Sequence, residues 1–522
     1  MKSLLRLLLL GLSISSLRIE LRATQFDLST ATIADINAAF DAGALTSEKL
    51  VQLYLARIEA YDQKGPALNT IITLNPKALE TARALDAERK AKGPRSPLHG
   101  VPILAKDVYD TMDMPTSGGF KPMATSQPSR DSFVIDRLRK AGAIILGKLN
   151  QSDWYGVAPS AASTLKGQVL SPYNAKKFPG GSSSGTGASM AAWFGTVGLG
   201  SDTTGSIVIP SALNDLVGFS TSHGLVSRTG MMWSSPSQEN GGPMGRSVFD
   251  CAAVLDAIAG YDPADLPTQE SVGKIPDRPY TSFVSKTGLV GARIGVLREM
   301  IRSGPVHTEG LALFQTTVDE FKKAGAIVID PVFTGLNLVE TQDDASAYPY
   351  EVASAINKYL AALPPTAPIR TVDEMIAKGG DLVKPAIIKG SKVGPLDHNA
   401  ALAAALKHQD VLRKALIALM ETYQLDALIL PYRTAQIENI PFTSTSGRSE
   451  SRNQLASVTG LPTIIAPAGF FPSDGMPFAV QFLGKPFTEP TLIKLASGFE
   501  AATGHRKPPS STPALPGESF SY

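Results

Sequence analysis

The sequence predicts an α/β protein whose β-sheet is largely covered by helices. Short apolar runs alternate with amphipathic helical patterns along the chain, beginning with a strand–helix–strand order within residues 101–149. Such short apolar runs are typical of strands that are buried on both faces. The chain has 522 residues, of which 43% are hydrophobic and 18% charged, so a sizeable buried core is expected.

The elements follow in order from residue 24. Apolar residues at i, i+3 and i+4 spacing predict three helices, over 32–42, 47–61 and 77–90. The first strand–helix–strand unit is predicted next, with strands over 101–107 and 143–149 and a helix over 132–142. Further strands are predicted over 196–202, 293–299, 326–330, 426–432, 463–470 and 478–484.

Residues 262–425 are the least regular part of the chain and are rich in Pro and Ala, so we expect insertions there that line or cover a pocket. Candidate pocket residues lie near Met123, at 154–157, at 231–233 and within 340–400. The tail from Lys507 contains four prolines before Gly517 and is predicted to be an extended strap.

The N-terminus has the pattern of a targeting segment. Lys2 and Arg6 precede the apolar stretch LLLLGLSIS, which is too short to span a bilayer comfortably. We therefore predict a secretory signal peptide over residues 1–23, cleaved near 16–23, and a secreted or periplasmic protein. An uncleaved N-terminal anchor is the alternative. The net charge of +2 gives no reason to expect a nucleic acid or an acidic membrane as partner.

The cysteine and histidine content argues against a disulfide framework and a metal site. The single cysteine, Cys251, lies in a helical pattern and is predicted to be a buried structural thiol. The six histidines are scattered, and none is a convincing base for a serine nucleophile; His99 is predicted to be a hydrogen-bonded structural residue. No Cys/His cluster has metal-ligand spacing, so no metal site is expected.

The most informative stretch is 180–210, which places two Ser/Gly-rich turns around a short apolar run. Ser182 and Ser206 lie in these two turns. Glycine lets backbone N–H groups approach a ligand closely, because it lacks Cβ and accepts a positive φ. The motif GSSSG would place Ser183 at a nucleophile elbow, but the apolar strand that such an elbow requires does not precede it.

A lysine could activate a serine in place of a histidine, provided that the lysine is neutral. Burial disfavours the ammonium and lowers its pKa toward the working pH. Lys106 ends the apolar run VPILAK, so its side chain would emerge from a packed strand into a dry pocket. A surface lysine at a strand end is the ordinary alternative, and the two Ser/Gly turns favour the catalytic interpretation.

These features resemble the amidase signature family, the serine amidohydrolases with a Ser–cis-Ser–Lys triad. Matching segments run in the family's order at 98–107, 131–154, 180–189, 198–210, 217–230 and 241–260. Weaker matches follow at 425–432, 460–470 and 482–496. The segments SRTG and SQENGGPMGR are similar to the peptide-amidase-like branch.

The resemblance implies one amidase domain over 24–522, with a core signature region at about 95–260 and the variable insertions at about 262–425. Its fold would be a single large mixed β-sheet that carries helices on both faces. The implied activity is that of an acylamide amidohydrolase acting on a small-molecule amide, as a monomer or homodimer. The implied mechanism needs neither a metal nor a cofactor.

The resemblance also implies a role for each site residue. Ser206 would be the nucleophile, and Ser182, after a cis peptide bond, would pass protons between it and Lys106. Ser183 would support the triad through a hydrogen bond. The backbone N–H groups of Thr203, Thr204, Gly205 and Ser206 would form the oxyanion hole.

Three residues depart from the usual family pattern. Thr204 and Ser184 stand where glycine is usual, and Val208 replaces an arginine that often pairs with Asp202. These changes bear on substrate range rather than on the triad. Two other functions stay open: the amidase subunit of a tRNA-dependent amidotransferase, and a non-catalytic binding protein with the same fold.

Overall fold

Eleven strands form one mixed sheet at the centre of the computed structural model, which describes residues 24–440 and 453–522. The described residues contain fifteen strands in all, and β1 with β15 and β5 with β6 form two separate pairs outside the central sheet. The strands are β1 (Gln25–Asp27), β2 (Ile71–Leu74), β3 (Pro102–Lys106), β4 (Ile144–Leu149), β5 (Ala162–Ser163), β6 (Gly167–Gln168), β7 (Val197–Asp202), β8 (Val217–Ser220), β9 (Asn240–Gly245), β10 (Arg293–Leu297), β11 (Ile327–Val332), β12 (Ala427–Pro431), β13 (Thr463–Phe470), β14 (Pro477–Leu483) and β15 (Ser519–Ser521). The order in the central sheet is β11-β10-β12-β14-β13-β8-β9-β7-β3-β4-β2.

Helices cover this sheet. They are α1 (Ile33–Asp41), α2 (Ser47–Tyr61), α3 (Ala78–Lys92), α4 (Phe133–Lys140), α5 (Ser184–Ala191), α6 (Val208–Leu213), α7 (Val248–Ile258), α8 (Thr308–Lys323), α9 (Leu338–Asp344), α10 (Tyr348–Ala361), α11 (Val372–Gly379), α12 (Pro385–Gly390), α13 (Ala400–Thr422), α14 (Leu455–Thr459) and α15 (Glu489–Thr503). Every residue of β3, β4, β7, β9, β12 and β14 is buried, so both faces of the sheet are covered there.

The α/β fold class is confirmed, and each predicted helix and strand has a counterpart within a few residues of its expected ends. Side-chain caps explain several helix starts: Thr32, Thr46 and Ser132 each accept a hydrogen bond from the first turn that follows. Strand β2 of the central sheet was not predicted, and neither were β8 and β9. Their sequences, VGFS and NGGPMG, carry too few apolar side chains to show a strand pattern.

The two ends of the described chain are joined. Strands β1 and β15 pair antiparallel, with Phe26 opposite Phe520. Beneath them, the guanidinium of Arg57 on α2 donates to both carboxylate oxygens of Glu518, at 2.9 and 2.8 Å. The tail from Lys507 is mostly without helix or strand until β15, as predicted for a strap.

The predictions for Cys251 and His99 are also confirmed. Cys251 is a buried free thiol in α7, and the ring of the buried His99 lies 2.9 Å from the carbonyl of Leu85. The predicted signal peptide lies outside the described residues. Across the stretches that the structure does describe, no helix is both long enough and apolar enough to cross a membrane.

Candidate active site

The site lies at one edge of the sheet, where β3 and β7 end side by side. These strands are parallel, with Ala105 opposite Leu199. Lys106 is the last residue of β3, and the loop of residues 203–206 follows directly after Asp202 at the end of β7. The sheet register therefore brings the lysine and this loop together, although they are far apart in sequence.

A second loop brings Ser182 to the same edge. The peptide bond between Gly181 and Ser182 is cis, as the family resemblance implies. Lys106 Nζ lies 2.7 Å from Ser182 Oγ and 2.9 Å from Ser201 Oγ. Ser183 Oγ donates to the carbonyl of Ser201 and accepts from its N–H, each at 3.3 Å. Ser183 thus fastens the Ser182 loop to β7.

Lys106 is fully buried, and its environment favours the neutral amine. Loss of hydration on burial lowers the pKa of Lys106 to about 7. The negative charges of Glu239 and Asp202 oppose this shift, while the positive charge of Lys384 adds to it. The ring of Trp154, whose centroid lies 5.0 Å from Nζ, packs beside the amine.

Ser182 and Ser206 open onto a common cavity of about 550 Å³. Its walls combine hydroxyl, aromatic and charged side chains. They are Ser152, Asp153, Trp154, Ser160, Phe178, Gly181, Ser182, Thr203, Thr204, Ser206, Ile209, Ser234, Asp343, Tyr348, Lys384, Tyr432, Arg433, Glu438 and Asn453. Ser206 is only 8% exposed, so a group that reached it would be largely withdrawn from water.

The loop that carries Ser206 also presents backbone donors. Within residues 24–440 and 453–522, the N–H groups of Thr203, Thr204 and Ser206 donate to no other protein atom. Gly205 differs, because its N–H donates to Asp202 Oδ1 at 2.6 Å. The geometry therefore leaves three of the four expected oxyanion donors available, and it removes Gly205 from that set.

Asp202 has partners that replace the missing arginine at position 208. Its Oδ1 accepts from Ser457 Oγ at 2.7 Å as well as from Gly205, and its Oδ2 accepts from the N–H of Ile207 at 3.1 Å. The carboxylate thus braces the turn before and after the nucleophile candidate. Val208, which stands where the arginine is usual, is buried at the start of α6.

The pocket predictions are partly confirmed. Trp154 lines the cavity, and so do three residues from the variable region: Asp343, Tyr348 and Lys384. Met123, Met231 and Met232 were also candidates, but their side chains are buried in the hydrophobic core. An unbranched apolar side chain packs well in an irregular core, and the sequence pattern alone could not distinguish that from a pocket wall.

Sequence reasoning missed Ser201, Glu239 and Ser457, which surround the predicted site residues. Ser201 lies within the strand predicted over 196–202, close to its end, so its contact with Lys106 could have been anticipated from the strand edge. Glu239 and Ser457 arrive from distant segments, and nothing in their local sequence marks them.

The sequence profile described as Amidase matches residues 49–493 of this chain. The chain belongs to the amidase family, known also by its amidase signature. A protein of Arabidopsis thaliana named "Probable amidase" is 34% identical over 514 residues, covering 95% of this chain and 94% of the relative. The glutamyl-tRNA(Gln) amidotransferase of Cupriavidus metallidurans has a subunit that is 30% identical over 500 residues, covering 91% of this chain and 97% of that one.

Solved structures of other family members confirm the fold of this chain. The native peptide amidase of Stenotrophomonas maltophilia superposes with a TM-score of 0.80 at 33% identity, covering 92% of this chain and 98% of the other. An amidase family protein of Bacillus anthracis gives a TM-score of 0.81 at 30% identity, covering 92% of each chain. The resemblance to the peptide-amidase-like branch is thereby supported.

Proposed function

We propose that this protein is a serine amidase that hydrolyses the C–N bond of carboxamides through an acyl-enzyme at Ser206. One observation carries the proposal: the buried amine of Lys106 lies 2.7 Å from the hydroxyl of Ser182, which shares a cavity with Ser206. A neutral amine held at that distance can accept the proton of a hydroxyl.

Acylation would proceed through a proton relay. Lys106 takes the proton of Ser182, and Ser182 takes the proton of Ser206 as the latter attacks the amide carbon. The carbonyl oxygen becomes an oxyanion, which the N–H groups of Thr203, Thr204 and Ser206 would stabilise. One such donor typically contributes about 3 kcal/mol to the stability of the transition state.

Collapse of the tetrahedral intermediate would run the relay in reverse and complete acylation, and deacylation would then use the relay again. The proton held by Lys106 passes through Ser182 to the nitrogen of the leaving amine, whose bond to carbon breaks. Water then attacks the ester carbonyl, and the same groups withdraw its proton and return one to Ser206. Each step uses hydroxyls and an amine of the protein itself.

The cavity suits a peptide-like amide. Aromatic rings of Trp154, Phe178, Tyr348 and Tyr432 offer apolar contact area, and acidic and basic side chains lie among them. The resemblance to a peptide amidase supports C-terminally amidated peptides as the first substrate class to test.

A hydrolysis screen of primary amides, anilides, C-terminal peptide amides and carbamates tests the function. We expect turnover of at least one class, and a loss of more than about a thousandfold in the Ser206→Ala and Lys106→Ala variants. Ser184→Ala is the matched control, because this buried hydroxyl has no hydrogen-bond partner among the described residues. Turnover retained by Ser206→Ala would refute the nucleophile assignment.

A second candidate is the amidase subunit of a tRNA-dependent amidotransferase. The relative from the glutamyl-tRNA(Gln) amidotransferase supports it, although a relative named amidase is at least as similar. A stable partner chain that co-purifies with glutaminase activity would favour it. If the protein hydrolyses no glutamine, either alone or together with such a partner, this function is excluded.

We also propose that the protein is exported, on the strength of the charged and apolar pattern at its N-terminus. Sequencing the N-terminus of the protein recovered from its native host tests this. A mature chain that begins near residues 16–23 would support export, and an intact Met1 in the cytoplasmic fraction would contradict it.

A further inference from the structure

Glu239 is a buried carboxyl group beside the proposed catalytic site. It is 0% exposed and directly precedes β9. Strand β9 runs antiparallel to β7, with Asn240 opposite Asp202. One residue further along this pairing, Glu239 lies against Thr203, the first residue of the loop that carries Ser206.

The carboxyl group holds this loop through its Oε2 atom. Thr203 Oγ1 donates to Oε2 at 2.6 Å, and the N–H of Ser234 donates to it at 3.2 Å. Thr203 supplies one of the available backbone N–H groups, so the hydrogen bond to its side chain restrains the direction of that donor. Loosening it would misplace the oxyanion hole.

The other oxygen, Oε1, is buried and has no hydrogen-bond partner among the described residues. A buried carboxylate with an unpaired oxygen is costly unless a positive charge stands nearby. Lys106 supplies such a charge when it is protonated, because its Nζ lies 2.9 Å from Ser201 Oγ, two residues before the Thr203 that binds Glu239. The charges of Lys106 and Glu239 act on each other's pKa. Burial raises the pKa of Glu239, and its interaction with Lys106 lowers it.

Other charged and titratable groups face this pair. Asp202 and Lys384 act on Lys106 with opposite signs. The negative charge of Asp202 also raises the pKa of Glu239, and the charge of Glu239 raises the pKa of the phenols of Tyr109 and Tyr348. Among the causes that raise the pKa of Lys106, Glu239 is the largest.

We propose that Glu239 is a positioning residue of the amidase site, which orients the oxyanion loop through Thr203 and stabilises Lys106 once that amine has taken up the proton of Ser182. This inference rests on the proposed function. During acylation Lys106 becomes an ammonium in a dry site, and the carboxylate supplies the opposite charge at that moment. The same charge makes the resting amine more basic and therefore a stronger proton acceptor.

The test is the rate at which a fluorophosphonate probe labels the full-length protein between about pH 5 and pH 9. The acid limb of this pH–rate profile is the range in which the rate falls as the pH is lowered. In Glu239→Gln we expect this limb to move about one pH unit lower, because Lys106 loses its proton more readily without the carboxylate. The plateau rate should fall about tenfold, because the weaker base is also a poorer acceptor. A merely structural role would lower the plateau and leave the limb in place.

Glu351→Gln is the matched control. Glu351 is a buried carboxyl group that binds the loop directly before Glu239, accepting from the hydroxyl groups of Ser235 and Ser237 at 2.5 and 2.9 Å. The negative charges that raise the pKa of Lys106 are those of Glu239 and Asp202. The acid limb of the Glu351→Gln variant should coincide with that of the wild type. If this limb moves as far as that of Glu239→Gln, the inference is overturned.

A second pair of variants decides the matter if Glu239→Gln does not fold. Thr203→Val keeps the side-chain shape but removes the donor to Glu239, so the carboxyl group takes up a proton more readily and Lys106 loses part of its counter-charge. The limb should again move lower, by a smaller amount, while Thr203→Ser should retain the wild-type limb. Equal limbs in the two variants would overturn the inference.

The failure of this inference differs from that of the proposed function. A folded wild-type protein that the probe does not label, or that it labels equally in Ser206→Ala, contradicts the proposed function itself. Labelling at Ser206 whose acid limb is the same in wild type and Glu239→Gln contradicts only the role of Glu239.

Discussion

At the scale of single residues, the proposed mechanism depends on one buried amine, that of Lys106. Lys106 is enclosed beside Trp154 and contacts two hydroxyls, those of Ser182 and Ser201. Burial lowers the pKa of Lys106 to about 7, so the amine is largely neutral above that pH and largely charged below it. Activity that requires the neutral amine should therefore fall as the pH drops through about 7.

Lys384 offers a test of this electrostatic account. Its positive charge lowers the pKa of Lys106, so Lys384→Met should raise that pKa and move the acid limb of fluorophosphonate labelling to higher pH, by about half a unit. Lys389→Met, an exposed change in the helix that follows Lys384, is the control and should leave the limb in place. A limb that moves lower in Lys384→Met would contradict the sign of the interaction.

At the scale of elements, the site depends on how α5 meets the end of β4. The N–H of Gly185, in the first turn of α5, donates to the carbonyl of Asn150 at 2.9 Å. A Cβ at Gly185 would lie 2.1 Å from that carbonyl oxygen, closer than any real contact. Glycine here allows the helix to approach closely enough to hold Ser182 beside Lys106.

Gly185→Ala should therefore push α5 away from β4. We expect a loss of about 1–3 kcal/mol in the free energy of unfolding, together with slower labelling of Ser206 in the folded fraction. Denaturant unfolding followed by circular dichroism measures the first effect. Gly394→Ala is the control, because a Cβ at Gly394 meets nothing within 4 Å. Equal midpoints for the two variants would argue against the proposed close contact.

The sequence predicted those parts of the fold and the site that local pattern can encode. Buried strands such as β3 are visible as apolar runs, and Lys106, Ser182 and Ser206 stand in or beside recognisable segments. The strands β8 and β9 were missed because glycine replaces the side chains that would show a period. Glu239 was missed because only the pairing of β9 with β7 brings it to Thr203.

At the scale of the whole molecule, the chain ends are tied to the helical layer. Arg57 is 0% and Glu518 1% exposed at the side chain, and the guanidinium also stacks 3.9 Å above the ring of Trp193. A buried ion pair of this kind is expensive to break, because the remaining charge loses its partner in a dry environment. The terminal strap should therefore contribute to global stability and leave the chemistry of the site unaffected.

Glu518→Gln tests that role. We expect the free energy of unfolding to drop by about 3–5 kcal/mol, because Arg57 is left as an uncompensated buried charge. Labelling of Ser206 per folded molecule should stay at the wild-type rate. Glu59→Gln removes the exposed partner of Lys64 and should leave the unfolding midpoint unchanged. An equally stable Glu518→Gln protein would contradict the role given to this pair.

The most direct test of the account is chemical rescue of Lys106→Ala by a small primary amine. The rate at which a fluorophosphonate labels Ser206 should fall more than about a thousandfold in this variant and recover in part with added propylamine, in proportion to the amine's neutral form. In the wild type the same rate should fall about tenfold for each pH unit below about 7. Labelling of Lys106→Ala at the wild-type rate, without added amine, would contradict the claim that a neutral lysine activates this serine.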